Sequence, residues 1–271
     1  MMPQVLVAAA QVARAAGWGS PMDDDSAPVV GITAALDEGG ELTGLHAQVA
    51  VHFADVALCR SLERAGAVPV LLPVSESPRA VQRYLDMVDG VLLSGGDGYL
   101  RRRALAGELP ADLALLAPRR FRFEAALLQG ALARDLPVLG ICRGHQTIAS
   151  VVGGPCLVPI EPTAGRHHVE DPPLGRRAVH TIRIEPGSRL HALVGAGTIA
   201  VNSLHRQAVG QVAPPLIISA RADDGVVEAL ESSAHRFVLG VQFHPELLEE
   251  DAVWTRLFEG FVAACRESRR R

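Results

Sequence analysis

LPVLGICRGHQ, residues 136–146, runs from an apolar strand through Gly-Ile-Cys-Arg-Gly into the start of a helix. LPVLGIC (136–142) has no polar side chain on either face, so it needs cover on both, as in a parallel sheet with helices packed on each side. HQTIASVV (145–152) then reads as a helix stopped by Gly153 and Gly154. Gly140 and Gly144 flank Cys142 in the manner of a nucleophile elbow. A strand-to-helix turn this tight leaves no room for Cβ atoms at its flanks and pushes the central side chain clear of the backbone. It also puts the Cys142 thiol at a helix N-terminus, where the macrodipole and unpaired N–H groups favour a thiolate. An ordinary thiol, with a pKa near ~8.5, is mostly protonated at neutral pH and needs such help plus a base. Taken alone, Cys142 is also readable as a small buried residue closing a strand.

Outward from this unit the same alternation repeats. VVGITAAL (29–36), AVPVLLP (67–73) and GVLLSGG (90–96) read as strands, and His46–Arg64, Pro78–Met87 and Arg119–Arg134 as helices. The stretch 97–118, with Gly, Pro and three consecutive arginines, reads as an irregular loop. Beyond it, VHTIRIEP, TIAVNS, PLIISARA, VVEALES and FVLGVQFHP are short strands joined by turn residues, read as an antiparallel extension of the same sheet. DAVWTRLFEGFVAACRES (251–268) is a closing helix. The expected fold class is α/β, a three-layer sandwich with a central, mostly parallel sheet. Neither a linker nor a repeat divides it, so residues 28–271 read as one domain. Residues 1–27 read as an N-terminal extension ending in the acidic run Asp23–Asp25; no charged region precedes its Ala/Val stretch, which argues against a signal peptide.

Composition narrows the chemistry. The 271 residues carry 26 basic and 30 acidic side chains, a net charge of −4 that speaks against blanket phosphate neutralisation and so against nucleic acid as a partner. Every basic residue is Arg; without a Lys there is no Schiff-base amine, P-loop lysine or Ser–Lys dyad. Cys59, Cys142, Cys156 and Cys265 form no CxxC pair, which points away from a zinc knuckle or redox dithiol and towards the reducing cytoplasm. The apolar runs are too short for a bilayer, so no membrane is expected. His167 and His168 are adjacent and lack a matching ligand set, so no metal is expected. Arg101–Arg103 reads as a solvated charge run, or as the source of a contact to a carboxylate on a ligand.

LGVQFHPE (239–246) is the second informative segment. An apolar strand ends in His244-Pro245-Glu246, and extended geometry would put Glu246 on the same face as His244. A His with a carboxylate partner is a general base whose tautomer is fixed; by itself the pair is equally a surface contact at a strand end.

GICRGHQ together with VQFHPE, with His244 102 residues after Cys142, resembles the class I glutamine amidotransferase family. Within it the likeness is to the γ-glutamyl hydrolase branch, the γ-glutamyl-γ-aminobutyrate hydrolase-like peptidases of group C26. VVGIT, AGAVPVLLP, VDGVLLSGGD, VNSLHRQAV and DGVVEALE extend the likeness over nearly all of the chain from residue 29, and Arg143-Gly144 stands where amidotransferases usually carry Leu-Gly. The resemblance implies a Cys142–His244–Glu246 triad that forms a γ-glutamyl thioester on Cys142 without a cofactor. It implies an oxyanion hole from the Gly96 N–H, at the Ser94-Gly95-Gly96-Asp97 turn, and the backbone of Arg143. It implies a substrate pocket drawing on Gly95, Gln146, Asn202, Ser203 and His205. Two departures stand out: Gly98-Tyr99-Leu100-Arg101 replaces the usual continuation after Asp97, and Arg206 replaces a second His.

The expected activity is therefore hydrolysis of the γ-glutamyl amide bond of a small conjugate, with a small-molecule substrate and no cofactor. The alternatives are a glutaminase subunit delivering ammonia to a synthase partner, which the stand-alone length disfavours, and a non-catalytic sensor of a γ-glutamyl ligand. The amine and the oligomeric state, a homodimer included, stay open.

Overall fold

The computed structural model describes residues 27–38, 49–96, 118–154, 156–160, 175–248 and 251–270. In chain order the first half holds β1 (Val29–Thr33), β2 (Ala35–Asp37), β3 (Val51–Phe53), α1 (Val56–Arg64), β4 (Val68–Leu72), α2 (Pro78–Met87), β5 (Gly90–Leu93), α3 (Pro118–Ala133), β6 (Val138–Ile141) and α4 (Arg143–Gly153). The second holds β7 (Leu157–Pro159), β8 (His180–Ile184), α5 (Arg189–Val194), β9 (Thr198–Val201), β10 (Gln207–Val209), β11 (Leu216–Ala222), β12 (Val227–Ser232), β13 (Val238–Val241), a 3₁₀ turn (Pro245–Leu247) and α6 (Ala252–Arg269).

The main sheet runs β4-β1-β5-β6-β13-β12-β11-β8-β9, with β10 and β7 attached at β12. Its first five strands are parallel and the remaining pairings antiparallel. This is the expected α/β sandwich. Alternate residues of one strand feed opposite layers, because side chains in a strand point to opposite faces. Leu92, Leu139, Leu239 and Val241 face α1, α5 and α6, where Trp254, Phe258 and Phe261 fill the space. Val91, Leu93, Val138 and Val238 face α2, α3 and α4, against Phe123, Leu127 and Ile148. Each such Leu or Val, fully withdrawn from water, contributes about 1.5–3 kcal/mol.

Three local readings are corrected. Residues 46–64 are not one helix: α1 starts at Val56, capped by the Asp55 carboxylate on the Ala57 N–H at 2.8 Å, and Val51–Phe53 instead pairs with β2 as a hairpin. Val51 and Phe53 alternate with His52, a period of two that the apolar residues around them hide. VVGITAAL is interrupted at Ala34, where the Ala34 N–H reaches the Leu72 carbonyl and the chain leaves the main sheet for that hairpin. VLGV of FVLGVQFHP is antiparallel to β12 as expected, but its other edge runs parallel to β6, which puts it in the centre of the sheet and not in the extension alone. The 1–27 extension (all but residue 27), the 97–117 part of the predicted loop with Asp97 and Arg101–Arg103, and His167–His168 lie outside the described residues. Among the described residues no helix is long and apolar enough to cross a membrane.

Candidate active site

Strand register builds the site. β5, β6 and β13 are adjacent and parallel, with Leu93 opposite Gly140 and Ile141 opposite Val241. Their C-terminal ends therefore share one edge of the sheet, where α/β folds collect functional groups. Cys142 follows β6, Ser94-Gly95-Gly96 follows β5, and His244 lies just beyond β13. The Cys142 N–H reaches the Val241 carbonyl at 2.8 Å and pins the turn to the neighbouring strand.

Cys142 occupies a backbone conformation of φ 50° and ψ −99°, positive φ being rare for a residue with a side chain. It is the residue from which α4 starts. The turn fits only because of its glycines: a Cβ on Gly144 would stand 2.1 Å from the Leu93 carbonyl oxygen, and one on Gly140 2.6 Å from the Gly144 carbonyl carbon. Cys142, buried but for a small fraction of its surface, thus points out of the elbow towards His244.

The His244 ring is held from the other side. Its Nδ1 is 2.7 Å from Glu246 Oε1, and both side chains are almost fully buried. Pro245–Leu247 forms a 3₁₀ turn, so the pairing comes from chain curvature and not from the extended geometry expected of HPE. Burial is the largest influence on the ring and favours its neutral form. The Glu246 and Cys142 charges, with hydrogen bonds to both, more than reverse it, and the imidazole is raised well above the ordinary histidine value. A base of that strength can hold the proton of a thiol. By contrast, burial first of all pushes up the thiols of Cys59, Cys156 and Cys265. Gly95 lies against the histidine, since a Cβ there would come 2.9 Å from His244 Cε1. Gly96 packs on the Arg143 side chain.

The residues expected around a substrate divide. Gly95 and Gly96 border Cys142's partners. Gln146 is buried on α4, and its amide nitrogen donates to the Gln207 carbonyl at 2.9 Å and to Gln242 Oε1 at 3.1 Å. Asn202, Ser203 and His205 are all buried. Asn202 donates to the carbonyls of Gly175 at 2.6 Å and His244 at 2.8 Å, and accepts from the His244 N–H at 2.8 Å. Its side chain is therefore engaged by the backbone of Gly175 and His244. Asn202→Ala removes the side-chain partner of the His244 N–H and one of the two donors to its carbonyl, which keeps the Leu247 N–H, in a dry interior; it lowers stability by about 1–3 kcal/mol. Turnover falls at least about tenfold as the ring loses its anchor. Paired urea titrations and initial rates check this, and an unchanged rate in a folded variant contradicts it.

His205 joins a buried cluster behind α4. Its Nδ1 meets the Gln207 carbonyl at 3.0 Å, and its Nε2 lies 3.6 Å from Glu228 Oε1, which His180 Nε2 approaches at 3.3 Å. His145, three residues past Cys142, is fully buried beside them. Burial drives its pKa down to about 4, against the pull of the Glu228 charge and the Gly240 backbone, with His205 adding to the drop. The unfolded chain binds this proton near pH 6.5, so between there and about 4 it holds more protons than the native state. Stability therefore falls with falling pH across that window, on the order of 2 kcal/mol by about pH 5. In urea unfolding, wild type loses more stability between about pH 7.5 and about pH 5 than His145→Gln does; equal losses contradict the assignment.

The sequence reading passed over Thr33, Arg120, Glu124 and Thr147, which form a buried network beneath the elbow. A signal was present: Arg120 and Glu124 share with Leu127, Leu128 and Ala131 the face that α3 buries, an ion pair at i, i+4 on an apolar stripe. Among the described residues, no group of three His, Cys, Asp or Glu is placed to hold a metal ion.

The chain is 35% identical over 209 residues to gamma-glutamyl-gamma-aminobutyrate hydrolase PuuD of Escherichia coli strain K12, covering 74% of this chain and 82% of that protein. It is 34% identical over 207 residues to protein NtpR of Enterococcus hirae, covering 74% and 85%. A solved structure described as the glutaminase domain of Trypanosoma brucei CTPS with bound acivicin superposes with a TM-score of 0.58 at 17% identity, over 89% of this chain and 94% of that one, a likeness of fold. The family model for Peptidase C26 matches residues 28–246, from the first strand through the His-Pro-Glu turn. With four-fifths of its length inside that model and about a third of the aligned residues identical in these relatives, the chain belongs to the Peptidase C26 family of class I glutamine amidotransferase-like proteins.

Proposed function

We propose that the protein hydrolyses the γ-glutamyl amide bond of a small γ-glutamyl-amine or γ-glutamyl-amino-acid conjugate. The observation that carries the reading is the line from Cys142 at the elbow to the His244 ring to Glu246, with basicity gathered on the imidazole. The hydrolase relative lends the substrate class.

In this reading the Cys142 sulfur attacks the γ-carbonyl carbon while His244 takes the thiol proton. Glu246 accepts from Nδ1–H and keeps Nε2 turned to the sulfur. The N–H groups of Gly96 and Arg143 receive the negative charge that develops on the carbonyl oxygen; one such donor is worth about 10²–10³ in kcat. Collapse breaks the C–N bond, His244 gives its proton to the departing amine, and a γ-glutamyl thioester stays on Cys142. Water, deprotonated by the same imidazole, attacks the thioester and releases glutamate, and the proton returns to the sulfur. Gln146, its amide nitrogen engaged, would meet the glutamyl moiety through its carbonyl oxygen, an acceptor suited to an ammonium group.

The test is a panel of γ-glutamyl-γ-aminobutyrate, a γ-glutamyl anilide and glutamine, with the α-linked isomers as controls. Glutamate release from γ-linked members alone is expected. Equal cleavage of α- and γ-linked compounds, or cleavage of none, contradicts the reading. Glutamine turnover that rises only with a synthase present would favour a glutaminase subunit.

A further inference from the structure

We propose that Arg120 and Glu124 form a buried positioning pair that sets both backbone N–H donors of the oxyanion site; the proposal rests on the reading of Gly96 and Arg143 as those donors. Arg120 is 2% exposed and Glu124 not at all. Two charges so withdrawn from water are a weak source of stability, since apolar residues of similar volume generally serve as well. Their contacts point to a geometric task.

Arg120 Nε donates to Glu124 Oε1 at 2.7 Å, and Nη2 reaches three acceptors on the β5 turn: the Ser94 carbonyl at 3.1 Å, Ser94 Oγ at 2.9 Å and the Gly95 carbonyl at 2.8 Å. The Gly95 carbonyl and the Gly96 N–H belong to one planar trans peptide and point in opposite directions. Holding the carbonyl on the guanidinium aims the Gly96 N–H away from α3, on a turn packed against His244 and Arg143. Without that clamp, a glycine pair has little to stop the peptide from rotating.

Glu124 reaches the second donor. Its Oε2 lies 3.5 Å from Arg143 Nε and accepts from Thr147 Oγ1 at 3.2 Å, so one carboxylate holds the first turns of α4, where the Arg143 N–H sits. Its Oε1 also accepts from Thr33 Oγ1 at 3.2 Å. Thr33 Oγ1 in turn accepts from the Ser94 N–H at 3.0 Å, and Ser94 Oγ donates to the Thr33 carbonyl at 2.6 Å. The ends of β1 and β5 and the first turns of α3 and α4 thus share one ionic knot. Arg143, the residue that distinguishes this chain from the Leu-Gly pattern, is tied into it.

The experiment compares wild type with Arg120→Lys and Ser94→Ala on a γ-glutamyl anilide, alongside iodoacetamide alkylation of Cys142, which uses the thiolate and needs no oxyanion donor. Turnover by wild type and its loss in Cys142→Ala are established first, which separates failure of the hydrolase reading from failure of this proposal. A Lys keeps the charge but cannot bridge Glu124 and the Ser94-Gly95 carbonyls together. Arg120→Lys is expected to lower kcat by about 30–100-fold with KM within about twofold and the alkylation rate unchanged, because the missing interaction belongs to the transition state. Ser94→Ala, which removes one of the contacts and is read whether or not Arg120→Lys folds, is expected to lower kcat by about three- to tenfold in the same pattern. Folded variants with wild-type kcat overturn the proposal. So does a parallel fall in kcat and alkylation, which would assign the pair to general support of the fold or the nucleophile.

Discussion

Cys142→Ala lowers kcat/KM on a γ-glutamyl amide by at least about 10⁴-fold, since removing the nucleophile of a catalytic group that acts as a unit removes nearly all its advantage. The loss should come without unfolding. Alanine meets the same positive φ as cysteine, so the strain of the turn is unchanged, and the urea midpoint stays close to wild type. No other thiol can substitute. Cys265 is buried against Gly90 in the core, with its pKa driven up by burial, and Cys59 and Cys156 are raised for the same first reason. Rates measured with the purified variant, on enough protein to see a residual rate of that size, decide the matter. A variant within tenfold of wild type would remove Cys142 from the chemistry.

Among the described glycines, Gly144→Ala is expected to be the most damaging such substitution. The added methyl would sit 2.1 Å from the Leu93 carbonyl oxygen and 2.8 Å from its carbon, backbone atoms of the central strand that cannot rotate aside. Either α4 lifts from the sheet or β5 shifts, and both carry the site: α4 starts at Cys142, and β5 leads into Ser94-Gly95-Gly96. A cost of about 3 kcal/mol or more in urea unfolding is expected, at the upper end for overpacking because the clash is with main chain. Turnover falls by at least about 10²-fold in whatever folds, from displacement of the nucleophile. Gly153→Ala is the control on the same helix. A Cβ there would find its nearest neighbour, in Ala213, at 3.6 Å, an ordinary contact, and that variant should lose little. Equal midpoints for the two variants would contradict the packing argument.

What could be read before the structure follows from where the information is local. LPVLGIC and VLLSGG announce buried strands because a parallel strand is apolar on both faces, and Gly140, Cys142 and Gly144 announce the elbow because only glycine fits there. Cys142, His244 and the Gly-Gly turn are legible as motifs at strand ends, and the register of β5, β6 and β13 brings those ends together. Pairing was less legible. VLGV looks the same whether its neighbours are parallel or antiparallel, and nothing within it says that β6 lies beside it. Val51–Phe53 was absorbed into a helix because short apolar segments satisfy both periods. The orientation of Asn202 and His205 was hidden for a related reason. Sequence gives their chemistry but not which way they face, and Asn202 turns inward to the His244 backbone while His205 turns to Glu228. Arg120 and Glu124 stayed hidden in a helix whose charges look like solvated surface until its buried face is known.

The central claim is that the Cys142 sulfur, activated by His244, accepts a glutamyl group through its γ-carbonyl. Rapid acid quenching of wild type with excess γ-glutamyl anilide, followed by intact-mass and peptide-mapping spectrometry, tests it directly. A single glutamyl adduct is expected on the peptide carrying Cys142, forming as the first aniline is released and decaying on the time scale of turnover. It should be absent from Cys142→Ala, and it should form at least about a hundredfold more slowly in His244→Ala. Steady hydrolysis by wild type with no adduct at any quench time under conditions where acylation outruns deacylation, or with the adduct on another residue, would contradict the account.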